Sequence, residues 1–72
     1  MNNLNVAKIQ LNGDPYEVIN GTNLKELLNK LKLQKNKIAI EVNGEIIEKS
    51  KYPNLILRRD DKVEIVHFIG GG

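Results

Sequence analysis

The sequence predicts a two-layer α+β domain in which one amphipathic helix lies across one face of a small sheet. Three observations predict it. Leu24, Leu27, Leu28 and Leu31 fall at i, i+3, i+4 and i+7, which makes one apolar stripe on a helix. Short segments before and after that stripe alternate apolar and polar residues with the period of a strand. Two dipeptides, Asn12-Gly13 and Asn43-Gly44, stand inside those segments and supply the positive φ angles that a tight hairpin turn needs.

Size and composition narrow the class of function. At 72 residues the chain forms a single domain over 1–72, and a domain of that size buries only about 60% of its unfolded surface. A large enclosed active site on a rigid scaffold is not expected. There is no cysteine, so disulfide scaffolds, thiol nucleophiles and zinc knuckles are all excluded. The net charge of +2 lies far below the basic density that makes nucleic acid the default partner. Met1-Asn2-Asn3-Leu4-Asn5 lacks the basic start and apolar run of a signal peptide, and no aliphatic stretch approaches a membrane span. The expected location is the cytoplasm, with no membrane and no nucleic-acid partner.

Each element has its own signal. Residues 4–11 read as a strand with Ala7, Ile9 and Leu11 on one face. After Asn12-Gly13, Asp14-Pro15 is expected to stay irregular, and Tyr16-Glu17-Val18-Ile19 to return as a strand. The helix starts at a cap: Asn23 with Glu26 three residues on makes a capping box, and Thr22 is the alternative cap. Burial of each leucine of the stripe stabilises by about 1.5–3 kcal/mol before entropy.

Residues 32–37 read as a loop, and Ile38, Ile40 and Val42 define a third strand. Asn43-Gly44 turns it into a short return strand over 45–48. The segment 49–57 has no clear period, and Pro53 bars a regular central strand there. Arg58-Arg59-Asp60-Asp61 reads as a charged, solvated turn. Residues 62–69 form the last strand, with Val63, Ile65 and His67 on one face and Lys62, Glu64, Val66 and Phe68 on the other. The order is hairpin, helix, hairpin, connection, strand. It is similar to the β-grasp, or ubiquitin-like, architecture, with a mixed sheet of four to five strands and one main helix packed on one face.

Catalytic constellations are nearly absent. The chain has one histidine, His67, one serine, Ser50, and one threonine, Thr22; Thr22 belongs to a helix start and Ser50 to a loop, which does not meet the geometry of a nucleophilic triad. One histidine and scattered carboxylates make no metal cluster, and no phosphate-binding glycine motif is present. Lys30, Lys32, Lys35 and Lys37 crowd the helix end. They either complement the helix dipole or form a docking patch for an acidic surface.

The tail is the conspicuous feature. The last strand runs straight into Ile69-Gly70-Gly71-Gly72. Three glycines cannot stabilise a folded terminus. Read blandly, this is a frayed end or a cloning scar. Read functionally, it is a flexible strip over 70–72, free of side chains, that threads into another protein's narrow active site. Four residues reach at most roughly 13–14 Å, so the chemistry would belong to the carboxylate of Gly72.

Nearly the whole chain resembles the ThiS family of thiamine-biosynthesis sulfur carriers. The resemblance is carried by Leu11-Asn12-Gly13, Leu24-Lys25-Glu26-Leu27-Leu28, the hairpin Ile40-Glu41-Val42-Asn43-Gly44-Glu45-Ile46-Ile47, and the ending from Asp61 to Gly72. It implies that an activating enzyme adenylates Gly72 with ATP, that sulfur mobilised from cysteine by a desulfurase converts it to a thiocarboxylate, and that thiazole synthase takes the sulfur. The carrier itself would be no enzyme and would bind no cofactor. Gly70 and Gly71 would allow threading. Two departures are a third glycine, Gly70, and an Asp60-Asp61 turn without the glycine often found there in relatives.

If the helix covers the Val63 and Ile65 face, Val66, Phe68 and Ile69 become candidate partner contacts beside the tail. His67 is expected to be structural or solvent-facing. Two alternatives share the fold: the molybdenum-cofactor sulfur carrier, disfavoured by the short length, and a β-grasp protein- or RNA-binding module whose tail is dispensable.

Overall fold

The computed structural model describes residues 5–68. Its strands are β1 (Val6–Leu11), β2 (Asp14–Ile19), β3 (Ile38–Val42), β4 (Glu45–Ile46) and β5 (Lys62–His67), with one helix, α1 (Leu24–Leu31). They form a five-stranded sheet in the order β2-β1-β5-β3-β4. Only β1 and β5 pair in parallel; the other neighbours are antiparallel. The mixed sheet with one main helix is therefore the architecture the sequence implied. The last strand in sequence is the central one in space.

The alternation of β1, β3 and β5 places Ala7, Ile9, Ile38, Ile40, Val42, Val63 and Ile65 on one face, and Leu24, Leu27 and Leu28 of α1 complete the core with them. Leu31, the fourth leucine of the stripe, is only partly buried. Both bonds of the capping box are present: the Glu26 backbone N–H donates to Asn23 Oδ1 at 2.8 Å and the Asn23 N–H to Glu26 Oε1 at 3.1 Å. Thr22 does not cap; its hydroxyl donates to the Ile19 carbonyl at 2.6 Å. Lys32 ends the helix in a left-handed conformation, φ 61°.

Several boundaries differ from expectation. The first strand starts at Val6, and Leu4 lies outside the described residues. Asp14-Pro15 is not irregular but opens β2, with Leu11 opposite Asp14 and Gln10 opposite Pro15. The turn is the two residues Asn12 and Gly13, with φ of 51° and 88°. That geometry makes Leu11 and Asp14 the hydrogen-bonded pair and turns the donor-less Pro15 nitrogen outward on an edge strand, where it costs no ladder bond.

The return strand over 45–48 shortens to Glu45–Ile46. Beyond it the Ile47 N–H still donates to Ile40 O at 3.0 Å, and Glu48 leads the chain away from the sheet into a helical turn. The last strand stops at His67 rather than at 69.

The segment that lacks a period, 49–57, is a 3₁₀ helix over Lys49–Asn54 that contains Pro53 and buries Tyr52. After it, Ile56 makes a bridge with Asn23; the Leu24 N–H donates to Leu55 O at 3.1 Å and the Leu57 N–H to Thr22 O at 2.8 Å. The segment thus satisfies a free N–H of the first turn of α1 and adds Leu57 to the core. The loop 32–37 contains a 3₁₀ turn, Lys35–Lys37.

Candidate functional site: the end of the central strand

β5 is held from both sides. Its carboxyl-terminal half pairs with β3 in register, Ile40 opposite Ile65, Ala39 opposite Val66 and Ile38 opposite His67. The Phe68 N–H extends the ladder by donating to Lys37 O at 2.9 Å. On the other side β1 ends at Leu11, and the Asn12 side chain continues where the strand stops: its Oδ1 accepts the Ile65 N–H at 2.7 Å. The second turn asparagine acts at the opposite end of β5. Asn43 Oδ1 accepts the Lys62 N–H at 2.9 Å, and its Nδ2 donates to Asp61 Oδ1 at 3.0 Å.

With α1 on the Val63 and Ile65 face, Val66 is 59% exposed and Phe68 57% exposed. Both predicted apolar contacts therefore stand in solvent at the end of β5. His67 is exposed as well, because the core on its face ends at Ile65 and Ile38. Ile69, Gly70, Gly71 and Gly72 lie outside the described residues.

Sequence reasoning missed Lys49. Its Nζ donates to the Ile38 carbonyl at 3.0 Å, an oxygen that β4 is too short to reach. The same Nζ lies 5.8 Å from the centre of the Phe68 ring, within the range of a cation–π contact. One ammonium thus closes the open edge of β3 and steadies Phe68, the residue that follows β5. No spacing signal marks Lys49, since the contact depends on how the 3₁₀ segment folds back. Sequence reasoning also missed that Ala39 and Ile46 share the outer face with Val66. Cross-strand register decides that.

The remaining predicted groups are not brought together. Thr22, Ser50 and His67 occupy the start of α1, the 3₁₀ segment and the end of β5. No group of histidine and carboxylate side chains suited to a metal ion occurs among the described residues. A cavity of about 210 Å³ lies beside α1 and is lined by Lys25, Leu28, Leu33, Lys49 and Tyr52 among others, with no carboxylate or histidine. Burial pushes the Tyr52 phenol above its ordinary value of 10.0, partly offset by the Ile40 backbone. The hydroxyl packs against that backbone but makes no hydrogen bond of good geometry. Lys30, Lys32, Lys35 and Lys37 are all at least partly exposed, and Lys30 lies 6.0 Å from the Tyr16 ring. None of the described helices is long and apolar enough to cross a membrane.

A model of the ThiS family matches residues 9–72. The chain belongs to the ThiS family. It is similar to the sulfur carrier protein ThiS of Bacillus subtilis, 38% identical over 65 residues that cover 89% of this chain and 98% of that one. Its fold is similar to the crystal structure of the thiamine biosynthesis protein ThiS from Geobacter metallireducens, with a TM-score of 0.78 and 34% identity over 90% of this chain and 99% of that chain. That likeness makes the architecture a ThiS-type β-grasp. A thiazole synthase of Magnetococcus marinus is 43% identical over 65 residues, 90% of this chain but only 20% of that protein. The chain thus spans about a fifth of the length of the thiazole synthases it matches.

Proposed function

We propose that this protein is a sulfur carrier of thiamine biosynthesis, and that its working group is the main-chain carboxylate of Gly72. The reading is carried by one observation: the strand that leads to Gly70-Gly71-Gly72 is the central strand of a ThiS-family sheet, held on both sides as far as Ile65 and on the β3 side as far as Phe68. A rigid platform that ends in a strip without side chains suits delivery of a terminus into another protein's active site. From Phe68 the next four residues extend at most roughly 13–14 Å.

The chemistry follows from the carboxylate. It is ionised at neutral pH and is a poor electrophile. In the proposed reaction a carboxylate oxygen attacks the α-phosphorus of ATP on an adenylating enzyme, and pyrophosphate leaves. The terminal sulfur of a persulfide, mobilised from cysteine by a desulfurase, attacks the acyl carbon and AMP leaves; a thiol then cleaves the S–S bond of the resulting acyl disulfide, forming a disulfide with the donor sulfur and releasing the thiocarboxylate. Thiazole synthase then accepts the sulfur and the carboxylate is regenerated. The activating enzyme binds the ATP, and this chain contributes reach and a docking surface. Relatives named for thiamine biosynthesis and for thiazole synthase support the thiamine branch over the molybdenum-cofactor branch. We place the reaction in the cytoplasm, where ATP and cysteine are at hand. Val66, Phe68 and Ile69 are the proposed contacts beside the tail.

Intact mass spectrometry tests the proposal. Incubation with ATP, the cognate adenylating enzyme and a sulfur source should replace one oxygen of the protein by sulfur, at Gly72. Deletion of Gly72 should abolish the change while circular dichroism stays the same. A gain of sulfur mapped to any other residue would overturn the assignment.

A further inference from the structure

The outer face of the sheet carries an uncompensated pair of like charges inside an apolar patch. Glu41 on β3 and Glu64 on β5 are direct register partners. Side chains so placed stand about 4.5–5.5 Å apart at Cβ, and like charges there destabilise a sheet. No described residue forms an ion pair with either of them. Among the described residues neither carboxylate has an ion-pair or hydrogen-bond partner; the one ion pair there joins Arg59 to Asp60, at 3.7 Å on the surface. Lys62 precedes Glu64 by two residues on the same face and pairs with neither.

Apolar side chains frame the pair. Ala39 and Val66 are the next register partners along the two strands on that face, and Ile46 on β4 stands opposite Glu41. Ile46 is 69% exposed. Together these five side chains and Ile40 line a shallow depression of about 80 Å³. Placing two of the chain's nine aspartate and glutamate side chains side by side within such a rim costs stability in the isolated fold.

We propose that this face docks a partner protein through an arginine side chain that enters between Glu41 and Glu64, with Ala39, Ile46 and Val66 forming the apolar rim. The proposal rests on the reading that a larger enzyme receives the tail, since β5 carries Val66 and Glu64 and leads into it. A guanidinium fits the chemistry. It is planar, weakly hydrated and able to donate to two carboxylates at once. An apolar rim around it excludes water, which is the setting in which a few residues dominate an interface. A divalent cation fits poorly, because it requires six or more oxygen ligands and the depression offers two carboxylates among aliphatic groups.

The test compares the full chain with its Glu41→Gln/Glu64→Gln variant in ATP–pyrophosphate exchange by the cognate adenylating enzyme. The variant should raise KM for the carrier about tenfold or more at unchanged kcat, and should flatten the rise of KM with salt. Its thermal midpoint should match or exceed that of the wild type, because a repulsion has been removed. Equal KM and equal salt dependence would overturn the proposal, as would a variant that melts well below the wild type. Deletion of Gly72 separates the two readings: it should abolish exchange yet leave binding of the carrier to the enzyme measurable by calorimetry. A wild type that supports no exchange overturns the carrier function. Calorimetry with the same enzyme then judges the face, and absence of wild-type binding overturns it.

Discussion

Asn12 Oδ1 accepts the Ile65 backbone N–H at 2.7 Å, across fifty-three positions of sequence. The bond matters because β1 ends at Leu11 while β5 continues, so the Ile65 N–H, which points to the β1 side, has no strand carbonyl there. Asn12 also adopts a left-handed φ of 51°, a conformation asparagine tolerates better than most residues. One side chain therefore both makes the hairpin and anchors the strand that carries the tail.

Replacing Asn12 by glycine keeps the turn and removes the acceptor. Asn12→Gly should cost about 1–2 kcal/mol, the price of leaving a part-buried donor unmet. Asn12→Asp keeps both the oxygen and the tolerance of positive φ and should stay within about 0.5 kcal/mol of wild type. Urea unfolding of the two variants checks this; equal stabilities would remove Asn12 from the role.

Tyr52 predicts an alkaline limit to stability. Its phenol is pushed above its value in the unfolded chain, so the folded state holds the proton more tightly than the unfolded state. Stability is then independent of this group below about pH 10 and falls as pH rises through that value toward the folded pKa. Tyr52→Phe should remove that part of the slope. Because the hydroxyl lacks a hydrogen bond, the same change should leave stability at pH 7 within about 0.5 kcal/mol of wild type or raise it. Denaturant titrations between about pH 7 and 11 read both effects, and a loss of several kcal/mol at neutral pH would contradict the second.

Phe68 stands at the exit of β5 with its ring exposed and its N–H bonded to Lys37 O. Phe68→Asp retains the backbone bond, so its melting temperature should shift by only a few degrees. Docking should suffer instead, with KM for adenylation raised about tenfold, as befits a central apolar contact. Unchanged kinetics in a folded variant would exclude Phe68 from the partner surface.

Asp60 occupies a left-handed position, φ 70°, in the turn before β5. Glycine meets that geometry without steric cost. Its ion pair with Arg59 is fully on the surface and contributes little. Asp61, in contrast, accepts the Arg58 N–H at 2.8 Å and the Asn43 Nδ2 at 3.0 Å. Asp60→Gly should be neutral or stabilising by up to about 1 kcal/mol, and Asp61→Ala destabilising by about 1–2 kcal/mol. Thermal melts of the two variants read the difference in sign. At Asp60 an aspartate thus adopts a backbone conformation that glycine favours.

Local chemistry makes most of the fold legible. The leucine stripe, the Asn23–Glu26 box and the two Asn-Gly turns act over three or four residues, and each appears where its pattern implies. The exposure of Val66 and Phe68 also follows from alternation once a helix has to cover Val63 and Ile65. Asp14-Pro15 misleads because a proline signals irregularity in sequence, whereas on an edge strand its missing N–H points to solvent.

Other features need the tertiary arrangement. The alternation of β5 does not say that it lies between β1 and β3; that follows from the parallel pairing with β1, made by residues about fifty positions apart. Only that placement joins Asn12 to Ile65, sets Glu41 against Glu64, and brings Lys49 to Phe68. Sequence by itself determined where the helix and the body of each strand lie, though not all their ends, because backbone propensity and hydrophobic period are local. The tertiary structure decided which strands are neighbours, and hence the platform and face beside the tail, because register is settled by burying one shared core.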